Sequence, residues 1–123
     1  MIGYPRVRGG SIACAVLLVI LAPLCASSQD RKVIRVTAER FTFTPSHVKV
    51  KRGTVVEFRL RSEDTNHGFR IVGSNTNVII PKRGRGEATL VFVAEKPGSY
   101  TFECSKMCGA GHAFMRGLIT VEE

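Results

Sequence analysis

Tryptophan is absent from this 123-residue chain, and histidine occurs only three times, so any site that needs imidazole must draw on His47, His67 or His112. Helical periodicity is missing after residue 30, which excludes a helical bundle. There is no internal repeat and no low-complexity tract. No Ser/His/Asp arrangement or pair of carboxylates stands out, so the chain offers no catalytic set of its own. Acidic residues are in the minority, 10 against 18 basic ones, giving a net charge of +8. That balance selects partners by sign, favouring acidic proteins or anionic surfaces. Nucleic acid is not expected as a partner, because no recognition motif is present. Lys82-Arg83-Gly84-Arg85-Gly86 is a basic, glycine-rich stretch that reads as a solvated loop. The length suits one domain.

The first thirty residues differ from the rest. Arg6 and Arg8 form a short basic start, no charge occurs from Gly9 to Gln29, and Ala26-Ser27-Ser28 supplies small residues. Basic, apolar and small-residue regions in this order predict an export signal over 1–30. Retention as a single membrane anchor is the competing expectation, although the strongly apolar part is short for a span of about 20 residues. Either way the domain over 31–123 is expected outside the cytoplasm, in the periplasm or on the outer face of the cytoplasmic membrane. Without residues 1–30 it keeps 16 basic and 9 acidic side chains.

Short alternating runs separated by Gly, Pro and Asn fill the domain. Val33–Ala38, Val48–Lys51, Val56–Arg61, Leu90 with Phe92, Tyr100 with Phe102, and Ile119 with Val121 each put apolar residues on one face. Strands at this spacing predict an all-β sandwich. Its expected core contains Phe41, Phe43, Phe58, Phe92 and Phe102.

Cys14 and Cys25 belong to the N-terminal segment, leaving Cys104 and Cys108 in the domain. Two cysteines in an exported domain usually mean a disulfide. Here they lie in Cys104-Ser-Lys-Met-Cys108-Gly-Ala-Gly-His112-Ala-Phe-Met115, one loop between two predicted strands. Thiolate, imidazole and thioether are ligands that suit copper, above all where it cycles through the monovalent state. A thioether is a poor zinc ligand, and the spacing departs from zinc patterns. Blue copper needs one Cys, two His and an axial Met. A second Cys in the arc lets two thiolates bridge two copper ions, with His112 and Met115 as further ligands. The second imidazole must be remote. His67 stands in a polar turn leading into the apolar run Phe69–Val72, whereas His47 enters a different strand where exposure is the ordinary case. His67 is therefore favoured.

The loop Cys-Ser-x-x-Cys-Gly-x-x-His-x-x-Met resembles that of the CuA domain of cytochrome c oxidase subunit II. Asp64-x-x-His67-Gly68-Phe69 is similar to the upstream histidine segment of that family, and Gly117–Glu122 to its closing strand. Asn75-Thr76-Asn77 and Lys96–Tyr100 look like the smaller, one-anchor subunit II of B-family haem–copper oxidases. The resemblance covers nearly all of residues 33–123 and implies a cupredoxin-like Greek-key β-sandwich. It implies that Cys104 and Cys108 bridge both coppers, that His67 and Met115 complete one, and that His112 and the backbone carbonyl of Lys106 complete the other. Gly109 and Gly111 would let the loop backbone pass close to the metals. The implied donor is cytochrome c or another small redox protein. The implied acceptor is a haem–copper oxidase core subunit, where the oxygen chemistry would occur, with this chain either its subunit II or a free-standing, subunit II-like periplasmic carrier.

Departures from the family pattern set further expectations. Lys106 stands where many members have a Glu that helps hold magnesium, so no magnesium site is expected. The electron-entry Trp is missing, and the acidic docking patch is replaced by a basic balance. Phe69 and Phe114 are candidate apolar contacts for a partner, or core. Two other readings compete: a copper-handling cupredoxin not coupled to an oxidase, with a more open site, and a structural cupredoxin closed by a Cys104–Cys108 disulfide, which leaves His112 and Met115 without a role.

Overall fold

The computed structural model describes residues 1–5, 9 and 28–123. Most of the export or anchor segment expected over 1–30 lies outside the described residues. Among the described residues no helix is long and apolar enough to cross a membrane.

Alternation becomes strand wherever one face can be buried. Nine strands follow in order: β1 Arg31–Glu39, β2 Thr42–Thr44, β3 His47–Lys51, β4 Val55–Ser62, β5 His67–Ile71, β6 Asn77–Ile80, β7 Ala88–Val93, β8 Gly98–Glu103 and β9 Arg116–Glu122. Among the described residues one 3-10 turn occurs, at His112–Phe114. The strands form two sheets, ordered β2-β1-β4-β7 and β3-β9-β8-β5-β6. Most pairs are antiparallel; β1 runs parallel to β4, and β3 to β9. In β4, Val56, Phe58 and Leu60 are buried while Arg61 is exposed and Glu57 and Arg59 are half-buried. This is the period-2 pattern expected of a strand packed on one face.

The two inner faces meet in an aromatic cluster. Phe43, Phe58, Phe69 and Phe102 are all buried, with ring centroids 5.5 Å apart for Phe43–Phe69, 5.3 Å for Phe58–Phe69 and 4.9 Å for Phe69–Phe102. Each such ring, fully buried, contributes on the order of 1.5–3 kcal/mol. Phe69 is thus core. Phe114 is not: it is 81% exposed. Phe41, expected in the core, is only partly buried at its edge. It lies beneath the 104–115 loop instead.

This framework gathers the site at one end of the sandwich. Strand β4 ends there at Ser62 and β5 starts at His67. Strand β8 ends at Glu103 and β9 starts at Arg116, and these two residues are register partners. The 104–115 loop therefore leaves and re-enters the sheet on adjacent strands. A hydrogen bond from the Cys104 N–H to the Met115 carbonyl, 3.0 Å, closes its base.

Candidate metal centre

Cys104 and Cys108 are both buried and both free. Their sulfurs stand 3.7 Å apart. That is far beyond a disulfide bond of about 2.05 Å and close enough for both to share one cation. Around them the structure collects every donor expected from the sequence. The Nδ1 of His67 lies 3.9 Å from the Cys104 sulfur, and the carbonyl oxygen of Lys106 lies 3.1 Å from it. The Cys108 sulfur has the Nδ1 of His112 at 3.7 Å and the sulfur of Met115 at 3.8 Å. The ligand atoms of His67, Cys104 and Cys108 all lie within 4.8 Å of one another.

Burial grades across this group. His67 is 0% and Met115 1% exposed, whereas His112 is half-buried. His67 is the first residue of β5 rather than part of the polar turn before it, and it is enclosed on all sides. His47, the first residue of β3, is exposed, and its Nε2 pairs with the Thr120 hydroxyl at 2.9 Å, well away from the sulfurs.

The orientation of His67 has a cause. Its Nε2 faces the Asp64 carboxylate at 2.6 Å, so with the proton on Nε2 the free lone pair of Nδ1 points at the sulfurs. Asp64 is itself held. The Arg40 N–H donates to its other oxygen at 2.9 Å, and Ser62 bonds within the same turn. Burial alone would raise the Asp64 carboxyl. The Arg40 N–H, the His67 ring and the Thr65 N–H outweigh that and hold it at about 2. Asp64 is therefore an anion throughout the neutral range and a fixed acceptor for the ring.

Burial pushes the Cys108 thiol up to about 11, and contact with Cys104 adds to the rise. Two adjacent buried thiolates need positive charge beside them, and a bound cation supplies it. The donor set of two thiols, two imidazoles, a thioether and a carbonyl fits copper. The residues present thus fit the metal that the sequence implies.

Two residues support the loop from outside: Arg40, which the sequence did not single out, and Phe41, which was expected in the core. Arg40 reaches it from the β1–β2 corner, and its Nε donates to the Cys108 carbonyl at 2.6 Å. Its backbone N–H meanwhile anchors Asp64, so one residue ties both halves of the site. The ring of Phe41 lies directly under Gly109 and Gly111. A Cβ on Gly109 would meet that ring at 2.9 Å, and one on Gly111 at 2.3 Å. The glycines were expected to make room for metal; the close neighbour of their backbone is Phe41. The segment 63–66 carried one readable signal, an acidic residue three positions before a histidine. Nothing local marks Arg40 or Phe41.

The family described as "Cupredoxin-like domain" matches residues 11–121. Cytochrome c oxidase subunit 2 of Thermus thermophilus is 36% identical over 96 residues, covering 76% of this chain and 68% of that protein. A second cytochrome c oxidase subunit 2 from the same species is also 36% identical over 96 residues, but there the chain spans only 55% of the relative's length. Among solved structures, a chain of a haem–copper terminal oxidase dimer determined by cryo-EM superposes with a TM-score of 0.67 at 28% identity, covering 91% of this chain and 78% of that one.

Proposed function

The chain belongs to the cupredoxin-like domain family and is a cytochrome oxidase subunit II-like member of it, and on that footing we propose that it holds a dinuclear copper centre of the CuA type and relays single electrons. One observation carries the reading: two free, buried cysteines 3.7 Å apart, faced by two imidazole nitrogens, a thioether and a carbonyl. A single blue copper ion uses one thiolate, and the second would have no task. When bound, the copper pair supplies a one-electron couple whose charge is spread over two metals.

The protein's part is to hold the donors still. Cys104, Cys108, His67, His112, Met115 and the Lys106 carbonyl would hold the copper pair, the two thiolates as its shared ligands and the other four as its remaining donors. Asp64 fixes the His67 ring, and Arg40 fixes both Asp64 and the Cys108 carbonyl. The burial of His67 and Met115 keeps water from the inner side. A copper-handling role would favour exposed, exchangeable ligands, and these two argue against it. Lys106 brings a cation rather than a carboxylate to the loop, which is why no magnesium is proposed. We place the domain on the outer face of the cytoplasmic membrane or in the periplasm. It would take electrons from a cytochrome c-like donor and pass them to the core of a haem–copper oxidase, the reaction on oxygen taking place there.

Copper counting and EPR on the copper-loaded protein test this. The expected result is a purple protein with two coppers per chain and a hyperfine pattern from one electron shared by two nuclei. One copper with the ordinary pattern of a single nucleus, or no copper, overturns the reading. Met115→Leu should keep two coppers and raise the reduction potential, because losing a neutral donor disfavours the oxidised state more than the reduced one. Voltammetry measures the potential, and complete loss of copper in this variant would show that the thioether is structurally required.

A further inference from the structure

The outer face of the ligand loop is apolar and cationic together. Met107 is 74% and Phe114 81% exposed, although each adjoins a buried ligand, Cys108 and Met115. Ala110 and Ala113 are exposed on the same loop. Large apolar side chains held in water over a functional site mark a contact surface. Their surroundings are positive. Lys106 and Arg116 are exposed, and Arg40 lies against the loop through the Cys108 carbonyl. The described ion pairs near this end engage Arg61, Arg70 and Arg83, but neither Lys106 nor Arg116. No acidic residue occurs between Glu103 and Glu122. Of the carboxylates around the loop, Glu103 is engaged by Arg70, Glu63 by Arg61, and Asp64 by His67 and the Arg40 N–H, while Glu39 next to Arg40 is exposed. A groove of about 300 Å³ beside the ligands is lined by Ser105, His112, Met115 and Arg116 together with the Arg70–Glu103 pair.

We infer that this face, with Met107 and Phe114 at its centre and Arg40, Lys106 and Arg116 at its rim, is the docking surface for an acidic redox protein. The inference rests on the copper reading of the same loop and adds the sign of the partner. An apolar centre with a charged rim is the common anatomy of a transient interface. The rim sets the encounter rate and its salt dependence, and the centre sets how long the complex lasts. A basic partner meets Lys106 and Arg116 beside Phe114, neither of them in a described ion pair. The opposite end of the domain is also rich in lysine, but there Lys49 pairs with Glu122 and Lys32 donates to the Lys49 carbonyl. That end serves as an internal control.

The test titrates an acidic and a basic c-type cytochrome into the full chain in detergent by calorimetry, at low and at moderate ionic strength. Calorimetry reports docking with or without copper, and copper counting on the same sample reports separately on the centre. The acidic cytochrome should bind, with affinity falling as salt rises, and the basic one should not. Arg116→Glu should weaken binding roughly tenfold at low salt and flatten the salt dependence. Phe114→Ser should weaken it at every salt concentration, and Lys51→Glu at the far end should leave it unchanged. Tighter binding of the basic cytochrome, an equal loss from Lys51→Glu, or no binding of either cytochrome would overturn the inference.

Discussion

Replacing His67 by alanine should abolish copper loading at the proposed centre, whereas replacing His47 by alanine should leave copper content and colour unchanged. The contrast follows from what each ring touches. His67 is fully buried, with Nδ1 toward the Cys104 sulfur and Nε2 on Asp64. Its loss removes a donor, opens a cavity and strips Asp64 of its strongest side-chain partner. A residue that merely orients a metal-bound histidine is typically worth 10–100-fold in metal affinity, so losing the histidine itself should cost more than about 100-fold. The domain should also lose about 2–4 kcal/mol of stability in the metal-free form, from the cavity and the lost hydrogen bond to Asp64. Asp64→Asn should fall between the two, because the ring remains but its orientation is no longer charge-assisted. His47 is exposed and bonded to a surface hydroxyl, so its removal touches neither copper nor core. Elemental analysis, the visible spectrum and EPR read all three variants. Equal losses from His67→Ala and His47→Ala would mean that the remote imidazole has been misassigned.

The strands and the donor set were readable for different reasons. In β4 and β9 the side chains alternate because one face meets the other sheet, and the alternation survives in the sequence as Val56-Glu57-Phe58-Arg59-Leu60 and Ile119-Thr120-Val121. The candidate donors Cys104, Cys108, His112 and Met115 stand close together in the chain and are chemically uncommon, so spacing alone groups them. The remote His67 needed its polar-then-apolar context and the resemblance of that segment. What could not be read is what acts through backbone or across distance. Arg40 meets Cys108 from 68 residues away, and it does so at a carbonyl that has no sequence identity. Phe41 looks like any core phenylalanine, yet its ring is the floor of the glycine loop. Phe69 and Phe114 are alike as residues, and only the closing of the sandwich puts one in the core and the other in water.

Gly68→Ala should be nearly as damaging as losing a ligand, although Gly68 donates no side chain. It follows His67 in β5 and faces the start of the ligand loop. A Cβ there would stand 2.0 Å from the Ser105 hydroxyl oxygen, 2.7 Å from the Lys106 nitrogen and 2.9 Å from the Ser105 nitrogen. The first contact could be relieved by turning a side chain. The other two are backbone, so the loop itself must move away from β5. That shift acts on Cys104, whose sulfur accepts the Gly68 N–H at 3.5 Å, and on the Lys106 carbonyl. Overpacking of this kind typically costs about 1–3 kcal/mol, an amount the nine-strand framework should tolerate. The expected variant is therefore folded by circular dichroism but loads less than one copper per chain. Adding Ser105→Gly separates the two explanations. It removes the hydroxyl and leaves both backbone nitrogens, so copper loading should remain poor. Full recovery in the double variant would show that the hydroxyl alone was in the way and that the close approach of β5 to the loop backbone is not what holds Cys104 in position.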